Sequence, residues 1–317
     1  MPSSRKRRTS LLELEIELLW GAWSELGVSG WGRTHRDWVV DPEPLIVRTA
    51  EVADSDPRLR DEALDWCIHY WRYVSRVRLR GLLRGRTDEA AEAWGWFAAT
   101  VNKHSTARWP GSTDEISYKI TGRSSLTTMK QPSRAWLRMR AAFGVGARTE
   151  ILRYFLSGPS LGSTTAIAEW VGYAKSNVVN ECDALEKAGV LRRRHIGNRF
   201  YYSLAHREAL QNFVGDIAPH RPSWAALLGV TSTLVDLEQA AATLPNPVLM
   251  VESHRVNSQI DDLLDQLEIE ERPDLSRPDE YWPKTRDFAY TYLSAWASGA
   301  WDPASPTRRS PGPKAPS

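Results

Sequence analysis

The stretch that decides the fold is Ser163-Thr-Thr-Ala-Ile-Ala-Glu-Trp-Val-Gly-Tyr-Ala-Lys-Ser-Asn-Val-Val-Asn-Glu-Cys-Asp-Ala-Leu-Glu-Lys-Ala-Gly-Val-Leu191, followed directly by Arg192-Arg-Arg-His-Ile-Gly-Asn-Arg-Phe-Tyr-Tyr-Ser-Leu204. Ser163 or Thr164 caps a short helix with Ile167, Ala168 and Val171 on one face. Gly172-Tyr-Ala is a tight turn, and Gly172 suits a left-handed C-terminal cap. Lys175 to Ala188 spaces Val178, Val179, Cys182 and Leu185 as one helical face, and Gly189 ends the helix. Val190 to His195 alternates as a strand, Gly197-Asn198 is a two-residue hairpin signal, and Arg199 to Leu204 returns. That turn pairs Arg194 with Tyr201 and Ile196 with Arg199 on the outer face. It leaves Phe200, Tyr202 and Leu204 facing the helices. Upstream, Ala147 to Leu156 forms an earlier helix through Ile151, Leu152 and Phe155, and Ser157-Gly-Pro-Ser-Leu-Gly162 breaks it.

Helix, helix, tight turn, helix and two-stranded hairpin is the winged helix-turn-helix plan. Residues 147–204 resemble the DNA-binding domains of the MarR and ArsR groups of bacterial transcriptional regulators, through Ala166–Leu191 and Arg192–Leu204. The resemblance implies a sequence-specific regulator acting on double-stranded DNA. A homodimer is expected, because one such module buries only about 600–1,000 Å² on DNA. In this plan the helix after the tight turn enters the major groove by its N-terminal end. The residues there are Lys175, Ser176 and Asn177, with Asn180 one turn on. Lys suits guanine O6/N7 and Asn suits adenine N6/N7. No acid intervenes before Glu181. On the hairpin, Arg192, Arg194, Asn198, Arg199 and Tyr201 are candidates for backbone or minor-groove contact. Ser163 and Thr164 can offer helix N-terminal N–H groups to a phosphate.

The surrounding chain has 317 residues, 42% apolar and 25% charged, which fits a folded protein of two or three domains. The net charge of +2 conceals an asymmetry: residues 116–207 hold 15 bases and 5 acids, and residues 208–317 hold 9 bases and 16 acids. A basic block of this kind points to a polyanionic partner. The segments read as a disordered basic tail at 1–10, a helical domain at 11–104 and a linker or arm at 105–133. The winged helix-turn-helix domain occupies 134–207. A helical region for dimerisation or effector sensing covers 208–300, and a disordered proline-rich tail covers 301–317. The fold class is therefore mainly α, with the winged module between helical regions.

No run approaches the ~20 apolar residues of a membrane span, so a cytoplasmic protein without membrane contact is expected. A small-molecule effector is compatible with the Trp-rich helices, the chain having 15 tryptophans. No cofactor or metal is expected. Cys67 and Cys182 make neither a disulfide framework nor a ligand spacing, and Cys182 falls on a core face. Asp41-Pro-Glu-Pro44 reads as a turn, and Leu45 to Ala53 as helix or strand. His35, Asp37, Asp41 and Glu43 contain acid/base chemistry but match no catalytic motif, so no enzyme is expected. The alternative use of the winged module is protein interaction within a bacterial defence or toxin–antitoxin assembly.

Overall fold

The computed structural model describes residues 9–29, 32–111 and 114–303. The tails expected at 1–10 and 301–317 lie mostly outside this range. Among the described residues the chain is mainly helical, with one small antiparallel sheet. Its helices are α1 Leu11–Leu26, α2 Pro42–Glu51, α3 Pro57–Tyr70, α4 Arg76–Leu82, α5 Asp88–His104, α6 Ala135–Phe143 and α7 Ala147–Ser157. They continue with α8 Thr164–Val171, α9 Lys175–Lys187, α10 Arg207–Val214, α11 Trp224–Ala241, α12 Asn246–Gln266 and α13 Tyr281–Ala297. The strands are β1 Gly162–Ser163, β2 Leu191–Ile196 and β3 Arg199–Leu204, in the order β1-β3-β2. No helix among the described residues is long and apolar enough to cross a membrane.

The chain divides into two compact units that are not consecutive in sequence. The smaller takes described residues up to 22, residues 32–35 and those from 226 onward; the larger takes 23–29 and described residues from 36 to 225. In the smaller unit Asn257 donates to the Thr285 hydroxyl at 2.6 Å, tying α12 to α13. His35 is buried there, with Nε2 2.7 Å from the Trp296 carbonyl and Nδ1 2.8 Å from the Thr34 hydroxyl. Burial lowers its pKa to about 4.

In the larger unit, side-chain caps set several helix starts. Asp56 accepts from the Leu59 N–H at 3.0 Å, Ser75 from Arg78 at 3.3 Å and Thr87 from Ala90 at 3.3 Å. Asp41-Pro-Glu-Pro44, expected as a turn, instead opens α2. A proline fits a first helical turn, where its missing N–H has no intrahelical partner to lose. Trp23, Trp38, Trp66 and Trp224 are fully buried. The indole N–H groups of Trp23, Trp66 and Trp224 each find an acceptor: the Thr49 hydroxyl and the Leu26 and Val39 carbonyls, at 2.7–2.9 Å. Residues 105–131 contain no helix or strand beyond those named, apart from the undescribed 112–113. The buried carboxylate of Asp65 holds part of this segment, accepting from the backbone N–H groups of Thr121, Gly122 and Ser124 at 2.7–3.1 Å.

Helices α7, α8 and α9 close over the sheet in one core. Ile151, Phe155, Ile167, Val171, Val178, Cys182, Leu185, Leu191 and Tyr202 are buried together. The β2–β3 register places Arg194 opposite Tyr201 and Ile196 opposite Arg199, as the hairpin reading requires. Gly197 has φ 58 while Asn198 keeps a negative φ, the pattern of a II′ turn. Two features differ from expectation. The two-residue strand β1 adds a third strand, because Gly162 and Ser163 pair with Tyr202 and Tyr201. Phe200, expected to face the helices, is 51% exposed. It has the inward parity but lies at the hairpin tip, where it packs on His195 at 5.2 Å and beneath the Arg193 guanidinium at 5.1 Å.

Candidate nucleic-acid interface

Strand pairing assembles the first part of the surface. Ser163 sits opposite Tyr201, and Tyr201 opposite Arg194, so these three form one cross-strand row on the outer face. Ser163 also caps α8, its hydroxyl accepting from the Ala166 N–H at 3.2 Å. Thr164 follows as the first residue of α8 and is half-buried, as is Tyr201. At the other end of α8, Gly172 adopts φ 71 and ψ 29, the left-handed cap expected there. The chain then enters α9, whose first turn has no side-chain cap. Lys175, Ser176, Asn177 and Asn180 are all exposed. Eight residues of α8 at ~1.5 Å rise put its C-terminal end roughly 12 Å along the helix from Ser163.

The hairpin presents two different faces. Arg192, Arg194 and Arg199 are exposed on the outer face, with Asn198 at the turn. No carboxylate pairs with these arginines or with Lys175 among the described residues. Arg193 has the opposite parity and lies 3.7 Å from Asp183. The Tyr202 hydroxyl donates to the same carboxylate at 2.8 Å. Burial, and then this hydrogen bond, push the Tyr202 phenol up to about 12. Glu181, the first acid of α9, is held by Arg148 at 3.0 Å. Glu181 and Asp183 are thus engaged locally, while the α9 start and the outer hairpin face stay cationic.

The basic excess counted over residues 116–207 is only partly on the surface. Arg134, Arg140 and Arg153 are buried. Arg140 donates to Glu43 at 2.6 Å and to Glu150 at 2.8 Å. Arg153 approaches Asp41 at 3.0 Å and Glu150 at 3.2 Å. Arg78 binds Asp41 through two bonds of 2.6 Å and also pairs with Glu43. Three carboxylates therefore face three guanidiniums inside the larger unit. Burial alone raises a carboxyl pKa, and does so for Glu43, but Arg153 and Arg78 hold Asp41 well below the usual carboxylate range, and Arg140 and Arg153 lower that of Glu150.

This cluster decides the fate of the acid/base group read near residue 40. Asp41 and Glu43 are consumed in ion pairs, and His35 belongs to the smaller unit with its ring nitrogens engaged. Cys182 lies in the core, where burial, then Asp183 and Glu181, push its thiol up to about 12. Sequence reading missed the cluster because Arg140 and Arg153 look like surface cations. The available signal was their position on the same helical faces as Trp136 and Leu137, for Arg140, and Leu156, for Arg153. No protein-family model, curated protein or solved structure matches the chain.

Proposed function

We propose that this chain is a sequence-specific DNA-binding regulator in which residues 147–204 act as a winged helix. The observation that carries the reading is a contrast within one small region. Lys175, Arg192, Arg194 and Arg199 are exposed and without a carboxylate partner among the described residues, while Arg140 and Arg153 are neutralised internally. In this reading α9 lies in the major groove, with Lys175, Ser176, Asn177 and Asn180 toward base edges. Its uncapped first turn offers N–H groups to a phosphate. Arg192, Arg194, Asn198, Arg199 and Tyr201 contact the flanking backbone or minor groove, and Ser163 and Thr164 meet a phosphate at the α8 start. Two copies act on a pseudo-palindrome, and no catalytic step is assigned.

Fluorescence anisotropy on pooled genomic duplex, across about 50–200 mM salt, tests this. Each phosphate contact contributes a slope of about −0.9 to log affinity against log salt. Arg194→Ala/Arg199→Ala should make the slope shallower by roughly one to four units for a dimer. Absence of binding at the lowest salt removes the reading, and an unchanged slope removes the hairpin from it.

A further inference from the structure

A cleft of about 570 Å³ opens in the larger unit. That volume lies within the range of small-molecule sites. Arg72, Arg76 and Arg108 line it together with Trp71, Gly146 and Tyr173, and no carboxylate lines it. All three arginines are exposed, and none has a carboxylate partner among the described residues. Like charges gathered without a counter-charge repel one another, so the arrangement favours an anion that joins them.

Two further features point into the same cleft. Arg108 has φ 52, a left-handed conformation that non-glycine residues rarely adopt. Its neighbour Trp109 enforces it. The Trp109 N–H donates to the Asn102 side chain at 2.7 Å, the Asn102 amide donates back to the Trp109 carbonyl at 3.1 Å, and the Trp109 ring stacks on Trp94 at 5.7 Å. Backbone strain held in this way is a mark of ligand-binding positions. In addition, α7 begins at the cleft wall: Gly146, its N-cap residue, lines the cleft and gives no side-chain cap.

We infer that this cleft binds a small phosphate-bearing molecule, gripped by Arg72, Arg76 and Arg108 at the N-terminal end of α7. Trp71 offers a ring face to the remainder of such a ligand. The cleft also reaches the α8–α9 turn: the Tyr173 hydroxyl lies 2.7 Å from the hydroxyl of Ser75, another lining residue, and Tyr173 precedes Lys175 by two positions. A ligand here is therefore placed to bias the start of α9. This regulatory consequence rests on the DNA-binding reading; the binding site does not.

The test is calorimetric titration of the full chain with inorganic pyrophosphate and, separately, adenosine 5′-monophosphate, at constant ionic strength. The expected result is one molecule bound per chain, by either probe. Arg72→Gln, Arg76→Gln and Arg108→Asn should each weaken the Kd by about tenfold, the worth of one charge-assisted contact. Asn tolerates the left-handed conformation, and Arg108→Gly replaces that variant if it fails to fold. Binding by pyrophosphate alone locates recognition in the phosphates, and tighter binding by the nucleotide adds the ring. Failure of both probes to bind, or binding that survives the triple substitution, overturns the proposal. If neither probe binds and the triple variant loses duplex affinity, the arginines contact DNA instead: the cleft proposal falls and the DNA reading stands. Probe binding with no duplex affinity in any form keeps the cleft and removes the DNA reading.

Discussion

Arginine performs opposite tasks in two adjacent parts of the larger unit. In the buried cluster, Arg78, Arg140 and Arg153 meet Asp41, Glu43 and Glu150 and leave no net charge. On the outer hairpin face, Arg192, Arg194 and Arg199 meet no acid among the described residues. Charge counted along the chain adds the two groups together, whereas only the second is available to a polyanion. What separates them is whether the guanidinium was desolvated on folding. A desolvated one needs a partner, and a solvated one can wait for a ligand.

The contrast breaks most easily at Arg140. Arg140→Met leaves three buried carboxylates facing two guanidiniums, Arg78 and Arg153, and should cost about 3–5 kcal/mol in urea unfolding followed by tryptophan fluorescence. Arg140→Met/Glu150→Gln should cost less than the sum of its two single substitutions. A loss under about 1 kcal/mol for Arg140→Met contradicts the cluster as described.

His35 sharpens the comparison, being buried and neutral rather than buried and charged. Its pKa is about 4 folded and 6.5 unfolded, so the unfolded chain binds the proton more readily. Stability is therefore complete above about pH 6.5 and falls as pH drops toward 4, by about 3 kcal/mol at most. Asp41 and Glu150, held low by their arginines, stay charged in the folded chain through that window, and their contribution begins to fall only below about pH 5, where the unfolded carboxyls take up protons. Unfolding curves at pH 7 and 4.5 should show the decline in wild type and a flatter response in His35→Gln. Equal pH dependence in both proteins assigns the decline to another group.

The smallest effect is expected on the hairpin. Arg194→Ala/Arg199→Ala should leave the unfolding free energy within about 0.5 kcal/mol, because exposed, unpaired cations contribute little to stability. A larger loss, measured in the same urea experiment, means that these side chains are structural and weakens their assignment to DNA.

Local patterns in the sequence were enough for the elements around residues 147–204. Gly172, Gly197-Asn198 and the spacing of Ile167, Val178, Cys182 and Leu185 act over a few residues, so turns, faces and register could be read from them. The cap of α8 at Ser163 was legible for the same reason. Strand β1 was not, since two residues carry no periodicity and Gly162–Ser163 pairs only because β3 returns beside it. The ion-pair cluster joins positions as distant as Asp41 and Arg153, and no short-range rule connects them. The proline-rich start of α2 was misread because Pro42 and Pro44 signal both a turn and a first helical turn, and only the helix that follows decides between them. For the candidate interface, the residue types and the hairpin register were legible, while the division of the basic block into surface and interior was not.

The hold of Asp65 on the segment after α5 has a consequence for how that segment behaves in time. Three closely spaced backbone anchors, at Thr121, Gly122 and Ser124, end on a single carboxylate buried on α3. A stretch without helix or strand ordinarily exchanges its amide hydrogens quickly. Here three of them are fastened to one atom group, so they should open together rather than one by one, at a rate set by the release of Asp65 from its pocket. A single side chain thus makes a loop behave as one cooperative piece, with slow amides and a shared opening event where the backbone pattern alone gives no reason for either.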